Sequence, residues 1–208
     1  MNTLHVALLG VLVLPIFVGN WRVSLVGLSA QGLLLAWIAS RHDPSALDHA
    51  SGWIGLVDFG AVRGVLAPLT MWRLLSARQV PGRNDVVAPN LFSWGLALGC
   101  VLLAFRLAAK LSPGASSHTL LAVSIAALLL GFLILSMQSS PLSQIIGLLR
   151  IENAVALFEL HASAGAHEPI GLRLGVSLAF LVSVGFFRWY LARLVQPPTG
   201  MDAEEAVL

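Results

Sequence analysis

The chain has 208 residues, of which 57% are hydrophobic and only 11% are charged, and its mean hydropathy is +0.86. Soluble domains carry about 25% charged residues, so the composition excludes a soluble protein and predicts an integral membrane protein. The formal net charge of +2 is too small to indicate a nucleic-acid partner. Cys100 is the only cysteine, which excludes an intrachain disulfide and a thiolate metal cluster.

Apolar segments recur along the chain at lengths that can cross a bilayer, for which a helix needs about 20 residues. They predict an all-α, polytopic transmembrane helical bundle of about seven spans, at residues 3–19, 22–40, 51–75, 89–109, 118–137, 142–161 and 170–194. No polar stretch approaches about 50 residues, the lower end of domain size. Residues 1–208 are therefore predicted to form a single integral membrane domain, with 197–208 as a short mobile cytoplasmic tail.

Lys and Arg residues are unevenly divided between alternate ends of the predicted spans. Six lie at one side, namely Arg22, Arg73, Arg78, Arg83, Arg188 and Arg193. Only Arg41 and Lys110 lie at the other side. Because cytoplasmic loops carry the excess of positive charge, this split predicts an external N-terminus and a cytoplasmic C-terminus.

The third predicted span contains two charged residues, Asp58 and Arg63. Arg63 is far from either end of the span, which places it near the middle of the membrane. Its guanidinium keeps its proton when buried, but it can pair with a carboxylate. Pro68 lacks an N–H and therefore leaves the carbonyl of Gly64, one turn earlier, without its helical donor.

The sixth predicted span holds the largest group of intramembrane polar residues. Glu152 and Glu159 are seven residues apart, so they share one helix face at a separation of about 10 Å along the axis. Gln144 lies within about 80° of Glu152, whereas Arg150 points about 160° away from it. Asn153 follows Glu152 directly. Ionisable residues within spans are costly and are candidates for ion pathways or proton relays.

Two segments carry a resemblance to a known family. Residues 144–147, with the sequence QIIG, are followed by Glu152 and Asn153, and this pattern resembles the hallmark segment of hydrogenase-4 component E. The same segment is similar to the glutamate helix of the NuoK subunit of complex I and of the MrpC subunit of Mrp antiporters. The order of aromatic, small, cationic and proline positions over residues 53–83 resembles the third span of the family.

The resemblance implies a membrane subunit of group 4 hydrogenase or formate hydrogenlyase-type complexes, in which other subunits carry out the redox chemistry. It implies that Glu152 is the membrane glutamate and that Gln144 and Asn153 are its flanking polar residues. Arg63 stands where the family usually has a lysine, and Gly175 falls where an aspartate is common. Together with Glu159, which the family pattern lacks, these departures indicate a divergent member.

We therefore expect a non-catalytic subunit, without cofactor or metal, in a complex I-like assembly that translocates protons across a bacterial inner membrane. Its expected partners are antiporter-like membrane subunits, a redox or other catalytic module, and the lipid bilayer. The predicted proton relay consists of Glu152, Glu159, Arg63 and Asp58, and the supporting polar residues are Gln144, Asn153 and Arg150. Two alternatives remain open, a purely structural assembly subunit and a stand-alone secondary transporter.

Overall fold

The structure is a computed structural model that describes residues 3–13, 17–18, 20–42, 44, 48–77, 91–112, 118–162 and 169–194. These residues form seven helices and no strand. The helices are α1 (Thr3–Val13), α2 (Trp21–His42), α3 (Ala50–Ala77), α4 (Leu91–Leu111), α5 (His118–Met137), α6 (Pro141–Ala162) and α7 (Ile170–Leu194). The tail predicted over 197–208 lies outside the described residues.

Five of these helices, α2, α3, α4, α5 and α7, are long and apolar enough to cross a membrane. The polar residues of α6 lower its mean hydropathy, and α6 is not among the five. The first helix is shorter than the predicted span 3–19, because α1 ends at Val13 and Phe17 and Val18 are not helical.

Helices α5 and α6 form an antiparallel pair joined by a short turn. Ser140 begins α6 as its N-cap, because the Ser143 amide donates to the Ser140 hydroxyl oxygen at 3.2 Å. Small residues let the two backbones approach closely. A Cβ on Gly131 would lie 2.7 Å from the Ile151 side chain, and one on Gly147 would lie 3.4 Å from Ile134. This pairing holds the polar helix α6 firmly inside the bundle.

Helix α3 changes its winding in the middle. Residues Ala50–Val57 and Ala67–Ala77 are α-helical, whereas Asp58–Leu66 form a π-helical segment. Hydrogen bonds from i to i+5 close each turn of a π-helix, so a turn holds about one residue more than a turn of α-helix. The segment therefore changes which side chains of α3 share a face, and it does so at the two charged residues of the span.

Helices α2 and α3 cross in backbone contact. A Cβ on Gly32 would lie 2.5 Å from the Gly64 nitrogen, so only glycine fits at this position. The Ser29 hydroxyl donates to the Gly64 carbonyl, the carbonyl that Pro68 would leave without a donor in α-helical winding. The neighbouring helix thus supplies a hydrogen bond to this backbone group, as hydrocarbon surroundings require.

Substitution of Gly32 by alanine is expected to destabilise the fold. Because the added methyl group would overlap with the backbone of α3, relaxation should cost about 1–3 kcal/mol. Gly99→Ala is the matched control, since a methyl group added there would have nothing within 4 Å and alanine should gain up to about 1 kcal/mol in a helix. Unfolding by SDS, followed by helical circular dichroism, measures both. Equal stability of Gly32→Ala and wild type would contradict the close crossing.

One end of the bundle is rich in aromatic and cationic side chains. Trp21, which begins α2, packs edge-on against Trp72 near the end of α3 with ring centroids 5.2 Å apart. The Arg22 guanidinium lies 5.4 Å and 5.9 Å from these two ring centroids. A single apolar cluster joins Trp21 to Leu142 at the start of α6 and Leu191 near the end of α7. The start of α2, the end of α3, the start of α6 and the end of α7 therefore meet at one end of the bundle.

Candidate functional site

The candidate site lies where α3, α6 and α7 meet, and its central group is the guanidinium of Arg63. Arg63 is buried, with 3% of its surface exposed. Its Nε donates to Asp58 Oδ2 at 2.8 Å in a buried ion pair. Both residues lie on α3, so the buried charge of Arg63 is neutralised by a carboxylate from the same helix.

The π-helical winding of α3 explains why this ion pair can form. In an α-helix, residues five apart point about 140° away from each other. Because each π-helical turn holds about one more residue, Asp58 and Arg63 come close to one full turn apart and face the same side. The π-helical segment Asp58–Leu66 begins at Asp58 and includes Arg63.

Arg63 also binds α6 and α7. Its Nη1 donates to the backbone carbonyl of Glu152 at 3.2 Å and to Asn153 Oδ1 at 3.4 Å. On the other side, its guanidinium carbon lies 4.1 Å from the ring centroid of Phe180, a cation–π contact with α7. The guanidinium is therefore held by Asp58, by the backbone of Glu152 and by an aromatic face, and it joins three helices.

Among the described residues, the carboxylate of Glu152 does not pair directly with Arg63, whereas that of Asp58 does. It faces the Ser183 hydroxyl on α7 and lies within the electrostatic influence of Arg63. Its Oε2 is enclosed, and among the described residues it has no hydrogen-bond partner. Glu152 borders a cavity of about 240 Å³ between α6 and α7. Because one of its oxygens has no hydrogen bond, this carboxylate can take up a proton more readily than a fully hydrogen-bonded one.

Two adjoining cavities connect the predicted relay residues. The cavity beside Glu152 is also bordered by Arg63 and Glu159. A second cavity, of about 150 Å³, shares Arg63 and Glu159 with the first and adds Asp58 and Arg173. All four predicted relay residues therefore surround this pair of cavities. Glu152 is half-buried and Glu159 is exposed, so the two carboxylates border the same cavity at different depths.

The three predicted supporting residues occupy three different positions. Asn153 is fully buried and accepts from Arg63, inside the site. Arg150 is buried on the other side of α6, where its Nη1 donates to the Leu12 carbonyl of α1 at 3.1 Å. Gln144 is exposed, and its Nε2 donates to the Gln138 carbonyl at 3.4 Å, so the structure does not bring it to the cavities.

Three residues of the site did not emerge from the sequence as candidates, namely Arg173, Phe180 and Ser183, all on α7. The feature in the sequence that could have indicated them is the face of α7 that packs inward. Phe180 and Val184, two of the three buried residues of α7, mark this face. The low burial of this helix explains why an apolar pattern does not reveal that face. The described residues contain no group of three or more His, Cys, Asp or Glu side chains that could hold a metal ion.

Comparisons with known proteins give no match. No protein-family model matches the sequence, no curated protein matches it, and no solved structure matches the fold.

Proposed function

We propose that this chain is a non-catalytic membrane subunit of a complex I-like, redox-linked assembly that translocates protons across a bacterial inner membrane. The observation that carries the proposal is the Glu152 carboxylate, which has an unused oxygen and borders a cavity in the middle of a polar helix. The resemblance of residues 144–153 to the hallmark segment of hydrogenase-4 component E identifies the same glutamate. The chain would thus contribute buried charges to a relay along the membrane arm.

The proposed mechanism is electrostatic. A proton arriving near Glu152 binds its carboxylate, and the fixed charge of Arg63 sets how firmly it is held. Asp58 offsets much of that charge, because it pairs directly with the guanidinium at 2.8 Å. The proton then passes through water to Glu159, which borders the same cavity at a distance of about 10 Å along the helix. Direct transfer over that distance is excluded, so the cavity between the two carboxylates is essential to the mechanism.

The proposal includes seven spans with an external N-terminus and a cytoplasmic C-terminus. Helix α6 has 22 residues and is about 33 Å long, which matches a hydrocarbon core of about 30 Å. Arg22 and Arg193 lie at the bundle end where α2 begins and α7 ends. An excess of Arg at this end supports a cytoplasmic orientation for it. The exposed apolar faces of α4 and α7 would contact lipid or antiporter-like subunits.

A purely structural role is the second candidate, and the contacts of Arg63 favour it. A guanidinium held by a carboxylate, a carbonyl, an amide oxygen and an aromatic ring is typical of a permanent structural contact between helices. In this alternative the buried charges fix the docking of α3, α6 and α7 and move no proton. The two functions make opposite predictions for Glu152→Gln, which affects assembly in the structural case and proton transfer in the relay case.

Native electrophoresis of mild-detergent membrane extracts tests whether the chain belongs to an assembly. The chain has a mass of 22.1 kDa, and we expect a tagged copy to migrate in a complex many times larger. Treatment of the same extract with SDS before electrophoresis is the control and should return the chain to its own mass. Migration as a monomer or dimer in mild detergent would contradict the proposal.

A further inference from the structure

An aromatic residue followed directly by arginine occurs four times in the chain. Three of these pairs lie at the bundle end where α2 begins and α3 and α7 end, at residues 21–22, 72–73 and 187–188. The aromatic member of each pair belongs to the same apolar cluster, which contains Trp21 and has Trp72 and Phe187 packed against it. The three arginines that follow these aromatic residues therefore surround one cluster at one end of the bundle.

These arginines have no acidic partners among the described residues. Arg22, Arg73 and Arg188 are exposed, and none of them forms an ion pair with a described carboxylate. The described carboxylates lie in the middle of the bundle or toward its other end, at Asp48, Asp58, Glu152 and Glu159. Three positive charges without a carboxylate partner make this end of the bundle a surface that attracts anions.

Aromatic rings hold one of the three guanidinium groups in place. The guanidinium carbon of Arg22 lies 5.4 Å from the ring centroid of Trp21 and 5.9 Å from that of Trp72. Both distances are within the range of a cation–π contact. The Arg22 amide donates to the Asn20 side chain at 2.9 Å, which fixes the residue in the first turn of α2. The guanidinium is thus positioned by α2 and α3, while it remains exposed to a ligand.

The surface beside the arginines has the character of a membrane interface. On α7, Phe186, Trp189 and Tyr190 are exposed, and the rings of Phe186 and Tyr190 stack with centroids 6.5 Å apart. Tryptophan and tyrosine are enriched at the level of lipid headgroups. Helix α7 has three buried residues among its 25, so most of its length offers an apolar face beside the arginines. A ligand that fits this surface has an anionic head and apolar chains.

We propose that Arg22, Arg73 and Arg188 form a binding site for an anionic phospholipid, with its phosphodiester at the guanidinium groups and its acyl chains along α7. Arginine binds phosphate oxygens through paired N–H donors, and basic clusters at the membrane surface bind anionic headgroups. The ammonium group of phosphatidylcholine would be repelled by three arginines, so the site prefers lipids of net negative charge. It contains none of the residues of the proposed proton relay, so either proposal can fail alone.

Native mass spectrometry of the purified full chain in dodecyl maltoside tests the site by counting bound lipids. The first dioleoyl phosphatidylglycerol added should bind more tightly than dioleoyl phosphatidylcholine. The double variant Arg22→Gln/Arg188→Gln should weaken this binding about 25-fold, because each arginine near an anionic lipid contributes about fivefold. Arg22→Lys should also weaken it, because lysine keeps the charge but not the planar pair of donors.

Arg106→Gln is the matched control. Residues 105–106 are the fourth aromatic–arginine pair, but Phe105 packs against Leu121 at the start of α5, at the other end of the bundle. This variant should bind phosphatidylglycerol as the wild type does. Without added lipid, every variant should unfold in SDS at the wild-type midpoint, which checks the fold. Equal affinity of the double variant and wild type, or an equal loss in Arg106→Gln, would overturn the site.

Two further measurements distinguish the lipid from other anions. Residues 197–208 contain three carboxylate side chains, and their removal should leave the affinity for phosphatidylglycerol unchanged. Lipid binding that appears only after this removal would show that the acidic tail occupies the arginines, and would overturn the proposal. Glycerol phosphate should not displace the bound lipid, because it lacks the acyl chains that contact α7. Displacement would assign the arginines to a soluble phosphate instead.

Discussion

Substitution of Asp58 by asparagine is expected to lower the free energy of unfolding by about 3–5 kcal/mol, the usual effect of leaving one buried charge without its partner. Asp58 and Arg63 are 6% and 3% exposed, and their ion pair is 2.8 Å long. Asparagine has nearly the same shape as aspartate, so the loss would come from the charge and not from packing. The guanidinium would then keep only neutral partners on α6 and α7.

Titration with SDS in mild detergent, followed by helical circular dichroism, measures this loss. The double variant Asp58→Leu/Arg63→Met should recover most of the stability, because apolar side chains often replace a buried ion pair without loss. Asp48→Asn is the matched control, since Asp48 is exposed, and should change the stability by no more than about 0.5 kcal/mol. An Asp58→Asn variant as stable as this control would show that the pair contributes nothing to the fold.

Glutamine at position 152 is expected to abolish proton translocation and leave the assembly intact. Glutamine fills the same volume and can still bond with Ser183, but it cannot bind and release a proton in the physiological pH range. Arg63 contacts residue 152 through the backbone carbonyl, which the substitution does not remove. The contacts that hold α3 against α6 should therefore survive, and only the titrating group is lost.

Proton uptake by sealed vesicles, divided by the turnover of the catalytic module, gives the coupling ratio for this variant. Arg106→Gln is the matched control, because Arg106 is a charged residue of α4 that is exposed and borders neither of the two cavities. It should leave the ratio unchanged. A Glu152→Gln variant that pumps normally would exclude the relay, and one that fails to assemble would favour the structural role.

Several features of the fold could be predicted from the sequence because they depend on local rules. The apolar runs at 118–137 and 170–194 coincide with α5 and α7. Pro68 indicated that the Gly64 carbonyl needs a donor from outside the helix, and the Ser29 hydroxyl donates to that carbonyl, although the winding there is π-helical. Helical geometry indicated that Arg150 faces away from Glu152, and it contacts α1 instead. Proline chemistry and helix periodicity suffice for each of these predictions.

The arrangement of the site depends on contacts between helices, which proline chemistry and helix periodicity do not predict. No residue pattern marks the π-helical segment of α3, and α-helical geometry would separate Asp58 from Arg63 by about 140°. The sequence therefore left open which carboxylate pairs with Arg63, and in the structure the ion pair is with Asp58. Arg173 looked like an ordinary charge near a helix end, and its position over Gly55 follows only from the packing of α7 on α3.

Identification of the proteins that co-purify with this chain tests the central claim most directly. The tagged chain would be purified from its native membrane in mild detergent, and its partners would be identified by mass spectrometry. The account predicts antiporter-like membrane subunits together with a redox or other catalytic module. Recovery of the chain alone, or only with copies of itself, would contradict the assignment to a complex I-like assembly.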